Sequence, residues 1–184
     1  MNETAKTATS VAIQSLADCN ELALENFVSK VPLHDLLFLD RDIRQPKVLN
    51  AWRRAIEQGT VHSLVSVIGD EVVATTAVIR DPLSWSAHVA DVRLLVLPES
   101  RGKGVGRALL EATIDHAIAQ GATKLTARMT PDQRGAITLF EESGFRGEAL
   151  LRDQVRDTNG RLHDIAVLSL DVARENARKG AFAD

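Results

Sequence analysis

The sequence predicts an α/β (α+β) fold, with a mixed, mostly antiparallel central sheet of about seven strands flanked by about four helices. Apolar residues alternate with a period of two in several segments and recur at spacings of three and four in the segments between them, which is typical of strands and helices respectively. Gly69-Asp70 and Asn159-Gly160 each lie between two strand-like segments, which indicates two antiparallel hairpins. A helical segment joins the strand-like residues 89–98 to 124–130, which favours a parallel pair with a right-handed crossover.

The chain opens with a predicted strand and helix. Residues 10–17 carry β-branched side chains in loose alternation and are predicted to form the first strand. A helix is predicted over 18–30, with Asp18 as its N-cap and Glu21 three residues later, as in a capping box. Pro32 is expected to end this helix.

A connector, a second helix and a hairpin follow. Residues 31–46 are predicted to be a connector with an apolar centre, and the apolar spacing over 47–59 predicts a helix. Gly59 is a typical residue to follow the end of that helix. The period then changes to two, so we predict strands over 61–68 and 71–79.

In the middle of the chain, the apolar pattern predicts two strand–helix units. Strand 89–98 leads into a glycine-rich turn, after which a helix runs to Gln120. Strand 124–130 follows, and a short helix over 134–144 ends at Gly144.

The C-terminal part predicts a second hairpin of strands 145–157 and 161–172. The polar residues after it are expected to be frayed or to form a short helix, so 1–8 and 174–184 are expected to be the frayed tails of a single domain over 1–184. The predicted order of elements is β-α-α-β-β-β-α-β-α-β-β.

Composition excludes several classes of protein. The chain has 22 Lys and Arg against 25 Asp and Glu, and this formal net charge of −3 argues against a nucleic-acid binder, which would show a basic excess. Cys19 is the one cysteine, so an intrachain disulfide is impossible and a reducing cytoplasm is the expected location. The first ten residues are polar, and no run approaches the ~18 apolar residues of a membrane span, so we expect neither a signal peptide nor a membrane partner.

The turn RGKGVGR over 101–107 is the feature most informative about function. A helix N-terminus carries unpaired backbone N–H groups and partial positive charge. Glycine lets the backbone approach a ligand closely, and Arg101, Lys103 and Arg107 add positive charge to the same turn. The sequence therefore predicts a cradle for phosphate groups.

Two other glycine motifs do not fit this turn. A Walker loop requires Gly-Lys-Ser/Thr, but Lys103 is followed by Gly104. The dinucleotide fingerprint requires glycine at the position of Arg107. The remaining pattern is Arg-x-x-Gly-x-Gly at Arg101, Gly104 and Gly106, and the alternative to a ligand site is an ordinary turn that uses glycine for tight packing.

That pattern, within LLVLPESRGKGVG, resembles the acetyl-coenzyme A loop of the GNAT (Gcn5-related) N-acetyltransferase superfamily. The segment ITLFEESGF resembles the family's later helix, and the predicted order of elements is the family's order. The resemblance is strongest over 89–145 and extends to the terminal hairpin.

The resemblance implies how a coenzyme is bound. The strand before the turn diverges from its neighbour, and its free backbone pairs with the pantetheine arm, where one amide can polarise the thioester carbonyl. The turn holds the pyrophosphate, and the helix over 134–144 lines the other side of the arm. No metal is implied. The residues implied to contact acetyl-CoA are Leu95, Val96, Leu97, Arg101, Gly102, Lys103, Gly104, Val105, Gly106, Arg107, Gln133 and Phe140.

The sequence differs from the family at the positions of the family's catalytic acid and base. Phe140 occupies the place of the usual acid, a tyrosine, and the chain contains no tyrosine. Arg128 occupies the place where some members have a base glutamate. We therefore expect the base to be Asp91, acting through water, or His88, and the alternative for Asp91 is an ion pair with Arg93. Further candidates for the acceptor pocket are His34, Asp40, Arg41, Trp85, His163 and Asp164.

The resemblance implies an N-acetyltransferase that moves an acetyl group from acetyl-CoA to a primary amine of a small molecule or peptide, by direct attack in a ternary complex. The alternative is an acyl-CoA-binding module with weak or no catalysis, used in sensing or as a partner subunit, which the missing tyrosine favours. The expected partners are acetyl-CoA and an amine acceptor, and the expected assembly is a homodimer. The identity of the acceptor does not follow from the sequence.

Overall fold

The computed structural model describes residues 11–181, and it contains eight strands and five α-helices in that range. The strands are β1 (Val11–Ser15), β2 (Val61–His62), β3 (Leu64–Ile68), β4 (Glu71–Ile79), β5 (Val89–Val96), β6 (Lys124–Met129), β7 (Arg146–Arg156) and β8 (Leu162–Asp171). The helices are α1 (Glu21–Lys30), α2 (Pro46–Glu57), α3 (Val105–Ala119), α4 (Arg134–Glu142) and α5 (Val172–Ala181).

The strands form one sheet in the order β1-β3-β4-β5-β6-β8-β7, and β2 pairs with β4. The pair β5–β6, which α3 connects, is parallel, and the other pairs within residues 11–181 are antiparallel. The predicted mixed, mostly antiparallel sheet is therefore confirmed, with eight strands instead of about seven. Both predicted hairpins are present, with Gly69 and Gly160 at positive φ in their turns.

The predicted strand 61–68 is divided in two at Ser63. Ser63 is buried, its carbonyl accepts a hydrogen bond from the Leu16 backbone N–H at 2.9 Å, and its hydroxyl accepts one from the Trp52 indole at 3.1 Å. These bonds connect the strand to the N-terminal segment and to α2, which no pattern within 61–68 could indicate.

The prediction that Asp18 caps the first helix is wrong. Residues Leu16–Asp18 form a 3-10 turn, and α1 begins at Glu21, three residues after the predicted start at Asp18. Asn20 is the N-cap, because its side-chain oxygen accepts the Leu22 backbone N–H at 2.9 Å. Asn and Asp are about equally good N-caps, so the 3-10 turn decides between them.

The C-terminal residues 174–181 are helical in the structure, so of the two alternatives predicted for this tail, frayed or a short helix, the structure shows the helix. They belong to α5, whose Glu175 is buried against the end of α4 at Gly144. Residues 182–184 and the predicted N-terminal tail lie outside the described range. Within residues 11–181, no helix combines the length and the apolar character needed to cross a bilayer.

Helices cover both faces of the sheet. One core cluster packs α1 and α2 against one face and includes Leu95 and Leu97 of β5. A second packs α3 and α4 against the other face and includes Val92 of the same strand. This alternation along β5 is the normal consequence of side chains pointing to opposite faces of a strand.

Strands β5 and β6 diverge after a short contact. They pair only from Val89 to Asp91 on one strand and from Lys124 to Thr126 on the other. Beyond this point β5 stays paired with β4 as far as Val96, and β6 stays paired with β8 as far as Met129. The space between 92–96 and 127–129 is called the inter-strand gap below.

Candidate active site

The backbone of β5 has free hydrogen-bonding groups at the inter-strand gap. The Leu97 N–H donates to the Val73 carbonyl at 3.0 Å, so Leu97 points its backbone groups towards β4. Because such pairs alternate along an antiparallel ladder, Leu95 also points towards β4, whereas Leu94 and Val96 point into the gap. The sequence predicted that the backbone of Leu95, Val96 and Leu97 is available to a ligand. The register with β4 shows instead that Leu94 and Val96 face the gap.

The glycine turn closes one end of the gap. Gly102 and Gly104 have φ angles of 71° and 80°, in the left-handed region that favours glycine. Gly104 precedes the first residue of α3 and is its N-cap. Gly106 has an ordinary φ, but a Cβ there would lie 3.2 Å from Val96 Cγ2 and 3.3 Å from Leu139 Cδ2. The turn therefore uses glycine twice for its conformation and once for close approach.

A cavity of about 740 Å³, the larger cavity, occupies the gap between β5, the glycine turn and α4. The first-turn N–H groups of α3 lie at its edge and have no partner within the helix. Of the residues predicted to contact a coenzyme, nine line this cavity: Leu95, Val96, Arg101, Gly102, Gly104, Gly106, Arg107, Gln133 and Phe140.

Three of the predicted coenzyme residues are not in the wall of the larger cavity. The side chains of Leu97 and Val105 are buried in the core on opposite faces of the sheet, where β5 and α3 need apolar contacts. Lys103 is exposed at the tip of the turn.

Two of the three predicted cations of the turn are paired with carboxylates. Arg101 donates to the Val96 carbonyl at 3.0 and 3.1 Å and to Asp35 Oδ2 at 2.5 Å. Arg107 forms an ion pair with Glu142 of α4. Asp35 also accepts a hydrogen bond from Gln133 Nε2 at 3.2 Å, so it connects the two sides of the gap at its open end. The sequence did not predict this role, because Asp35 lies 66 positions from Arg101.

A cluster of four charged side chains lies beside the gap, with Asp91 and Arg93 on β5, Arg128 on β6 and Asp40 in the connector before α2. Arg93 Nε lies 2.9 Å from Asp91 Oδ2, and Arg93 Nη2 lies 2.7 Å from Asp40 Oδ2. Arg128 lies 3.5 Å from Asp40 and 3.6 Å from Asp91. Burial raises the pKa of the Asp40 carboxyl, but hydrogen bonds and charge attraction from Arg93 and Arg128 outweigh it, so that pKa lies below its ordinary value. The formal charges of this four-residue cluster sum to zero.

The family model described as Acetyltransferase (GNAT) family matches residues 23–145, which is more than half of the chain. The match covers β5, the glycine turn, the inter-strand gap and α4.

The chain belongs to the GNAT family.

Known proteins and structures agree with this assignment. The chain is 31% identical over 131 residues to N-acetyltransferase 8 of Rattus norvegicus, covering 69% of this chain and 54% of that protein. It is 31% identical over 80 residues to the [ribosomal protein bS18]-alanine N-acetyltransferase of Escherichia coli K12, covering 44% of this chain and 53% of that protein. The chain thus spans about half the length of these relatives.

Solved GNAT structures share the fold. The structure of yncA from Salmonella typhimurium, described as an acetyltransferase with its cofactor acetyl-CoA, matches with a TM-score of 0.74 at 23% identity, covering 89% of this chain and 94% of that one. The ribosomal-protein-alanine N-acetyltransferase of Brucella melitensis matches with a TM-score of 0.71 at 18% identity, covering 87% and 99%. At these identities the likeness concerns the fold.

Phe140, which the resemblance predicts at the place of the family's usual tyrosine, is buried on α4 and lines the larger cavity. Its ring packs edge-on against Phe145 at a centroid distance of 5.0 Å. A phenyl ring has no proton to donate, so this position can shape the cavity but cannot supply an acid.

The two sequence candidates for the base lie outside the cavity walls. Asp91 is held by Arg93 and Arg128 in the four-residue cluster. His88 is exposed, and its carbonyl accepts the Thr123 and Lys124 N–H groups at the closed end of the gap. Neither residue is in contact with the larger cavity.

Four of the acceptor candidates, His34, His163, Asp164 and Trp85, are distributed over three places. His34 Nε2 lies 2.8 Å from Asp132 Oδ2 in the wall of the larger cavity, and the His34 ring contacts the ring of His163. Asp164 accepts the backbone N–H of Asp153 within the terminal hairpin. Trp85 is fully exposed on the loop before β5.

A second cavity, the smaller cavity, has a volume of about 280 Å³ and lies between α2 and the adjacent face of β4 and β5. Asp40, Arg41 and Arg93 line it. The first two are among the sequence candidates for the acceptor pocket. Leu95 is in the walls of both cavities, so the two meet at this residue. Within residues 11–181, no three His, Cys, Asp or Glu side chains are grouped so as to hold a metal ion.

Proposed function

We propose that this GNAT protein is an acetyl-CoA-dependent N-acetyltransferase that acts on a primary amine. The observation that carries the proposal is the inter-strand gap, into which the Leu94 backbone and the Val96 N–H point, and which ends at a three-glycine turn and a helix N-terminus. Such a site suits a long ligand with amide groups along its arm and phosphates at one end.

Each part of the gap has a role in binding. The N–H groups of the first turn of α3 bind the pyrophosphate, because they are unpaired and lie at the positive end of the helix. The Leu94 backbone and the Val96 N–H pair with the pantetheine amides, and α4 closes the other side of the arm with Phe140 and Gln133.

The reaction forms a bond between the amine nitrogen and the thioester carbonyl carbon and then breaks the carbon–sulfur bond. The carbonyl oxygen becomes negative on the way, and a backbone N–H in the gap, at Leu94 or Val96, stabilises it. The amine loses a proton and the departing thiolate gains one from water. An ordinary thiol has a pKa of about 8.5, so the thiolate can leave without a tyrosine acid.

Asp40 attracts the amine in its ammonium form. Its lowered pKa keeps it ionised at neutral pH, which makes it a good electrostatic partner and a weak base. Water therefore accepts the proton from the ammonium group. Asp91 or His88 acts as the base only if a water chain connects it to the amine.

The second candidate function is an acyl-CoA-binding module without efficient catalysis. Phe140 in the place of the acid and the pairing of Asp91 with two arginines favour it. Both candidates require coenzyme binding, and only the first requires release of free coenzyme A thiol when amines are added.

Thermal unfolding with acetyl-CoA tests the shared part of both candidates. A ligand that binds the folded state adds about 2.7 kcal/mol at a hundredfold excess over its Kd, so acetyl-CoA should raise the Tm. Gly104→Glu should abolish the rise, because a carboxylate would repel the phosphates and fill the turn. Gly69→Glu is the matched control, since Gly69 also has positive φ and open space around it but lies in the β3–β4 hairpin. A Tm that does not respond to acetyl-CoA in the parent protein would contradict the proposal.

We also propose that the protein is a cytoplasmic homodimer. Strand β7 is an edge of the sheet, and Leu150, Leu151 and Leu162 on β7 and β8 are exposed, which is typical of a strand edge that pairs with another chain. The single Cys19 suits a reducing compartment. Light scattering should give twice the chain mass, and Leu151→Lys should shift it to the monomer; a monomeric parent protein would contradict the dimer.

A further inference from the structure

We propose that the smaller cavity is the acceptor site and that it takes a primary amine carrying one apolar group, with Asp40 holding the ammonium at its mouth. This inference rests on the proposed function, since it names the substrate class of the same site. Leu95, shared by both cavities, brings an amine in the smaller cavity next to a thioester in the larger one.

The interior of the smaller cavity is apolar. The indole and hydroxyl groups of its wall are already engaged: the Trp52 indole donates to Ser63 Oγ at 3.1 Å, the Thr75 hydroxyl donates to the Leu64 carbonyl at 3.2 Å, and the Thr76 and Thr113 hydroxyls lie 2.8 Å apart. The charged side chains in the wall are Asp40, Arg41 and Arg93. A polar group of a ligand would therefore be buried without a partner, which is costly. The apolar wall consists of Leu39, Ile43, Val48, Ala51, Val61, Ala77, Ile79 and Leu95 together with the Trp52 ring.

Asp40 lies where the two cavities meet. It is bonded to Arg93 in the wall of the smaller cavity and to Arg128 in the wall of the larger one. Its side chain is 62% exposed, and an ionised carboxylate has about four lone-pair sites, so it can accept a further bond from an ammonium. One cation is thus held at the mouth, and a second cation would have to enter the apolar interior.

The volume limits the size of the apolar group. About 280 Å³ equals the share of about nine water molecules in the liquid, which accommodates an amine such as 2-phenylethylamine. Spermidine is of similar size but carries additional ammonium groups, and it is therefore the matched negative comparator.

Steady-state acetylation of 2-phenylethylamine and spermidine is the first test, with two variants of α2. Ala51→Phe places a ring in the wall of the smaller cavity and should raise the KM for 2-phenylethylamine by roughly tenfold or more. Asn50→Phe places the same ring at the exposed neighbouring position, which is outside the wall, and should leave that KM unchanged. Asp40→Asn should raise the same KM about tenfold with an unaltered Tm response to acetyl-CoA.

Binding can also be measured without turnover. Trp85→Phe leaves Trp52 as the single tryptophan, because the chain contains 2. Titration with 2-phenylethylamine should then change the Trp52 emission with saturation, and the addition of Ala51→Phe should remove the change whereas Asn50→Phe should not.

The outcomes separate this inference from the proposed function. An unchanged emission, an equal effect of both α2 variants, or a higher kcat/KM for spermidine than for 2-phenylethylamine would overturn the apolar acceptor site. A Tm that does not respond to acetyl-CoA would contradict the proposed function instead, and the emission titration would still decide this inference.

A primary amine with one apolar group could be a free amine or the N-terminal residue of a peptide. Peptides that differ only in an N-terminal Leu or Gly distinguish the two sources. A preference for Leu by about tenfold or more would assign the site to peptide N-termini, and acetylation of 2-phenylethylamine with no peptide acetylated would assign it to free amines.

Discussion

At the scale of single residues, Asp91 is a candidate base in the sequence but is held in ion pairs with Arg93 and Arg128 in the structure. The alternation along β5 places it on the same face as Arg93, and the ion pair forms at 2.9 Å. Arg128 approaches from β6 and Asp40 from the connector before α2, and their charges complete the four-residue cluster. Only the Asp91–Arg93 pair is local in sequence, so the rest of the cluster depends on the packing of distant segments.

We predict that Asp91→Asn lowers the free energy of unfolding by about 1.5 to 3 kcal/mol, the usual range for a hydrogen bond to a charged group. The reason is that Arg93, whose side chain is only 19% exposed, loses an anionic partner. Urea unfolding measures the change, and the acid limb of the pH–rate profile should stay in place. A shifted acid limb with unchanged stability would instead identify Asp91 as the base.

We predict that Phe140→Tyr folds normally and increases turnover, because it adds a proton donor at the wall of the larger cavity. Its Tm response to acetyl-CoA should be preserved. Phe145→Tyr is the control: Phe145 is fully buried and does not line the cavity, so its hydroxyl should cost about 1 to 3 kcal/mol of stability without a gain in turnover. Loss of acetyl-CoA binding in Phe140→Tyr would contradict the placement of this residue.

At the scale of elements, the end of α4 is held by α5. Gly144 has a φ of 100°, and a Cβ there would lie 2.8 Å from the Glu175 carboxyl carbon. Glu175 is buried and forms an ion pair with Arg178 at 2.9 Å. The C-terminal helix thus supports the helix that forms one wall of the larger cavity.

We predict that Gly144→Ala lowers the free energy of unfolding by about 1 to 3 kcal/mol, because it combines backbone strain with a contact on Glu175. Gly135→Ala, in the first turn of α4, is the matched control. A Cβ at Gly135 meets nothing within 4 Å, and alanine favours a helix, so this change should stabilise by about 0.5 to 1 kcal/mol. Equal losses in both variants would contradict a specific role of the α4–α5 contact.

At the scale of the whole molecule, the stacked rings of His62 and His116 couple stability to pH. Their centroids lie 3.4 Å apart, between β2 and α3. Burial lowers the pKa of His62, and the charge of His116 lowers it further; burial also lowers the pKa of His116. As the pH falls through 6.5, the ordinary pKa of histidine, the unfolded chain therefore binds more protons than the folded one. The stability of the folded state then falls as the pH falls.

We predict that the Tm of the parent protein decreases between pH 7 and pH 5.5, and that His62→Phe makes this decrease smaller while it keeps a ring against His116. Carboxyls such as Asp40, with a lowered pKa, contribute stability that is lost only near and below 3.8, outside this window. Thermal unfolding across the pH range is the measurement. An identical pH dependence of both proteins would show that the histidine pair does not control it.

Most of the elements could be predicted from the sequence, because each depends on residues within a few positions of one another. The two hairpins, the parallel pair across α3 and the glycine turn follow from period, turn residues and glycine spacing. The break in the strand 61–68 depends on distant residues, because Ser63 is bonded to Leu16 and Trp52. The error in the N-cap of α1 is local, because the 3-10 turn at Leu16–Asp18 moves the cap from Asp18 to Asn20.

The sequence by itself determined that a glycine turn lies between a strand and a helix. Its resemblance to the family further predicts that Phe140 takes the place of the usual tyrosine and that Arg128 takes the place where some members have a base glutamate. The tertiary structure alone decided which backbone groups of β5 face the gap, since that depends on the register with β4. It also decided that Arg101 is held by Asp35 and that Arg128 meets Asp40, pairs 66 and 88 positions apart. Local patterns specify turns and periods, whereas charges and cavities are assembled by the packing of segments that are distant along the chain.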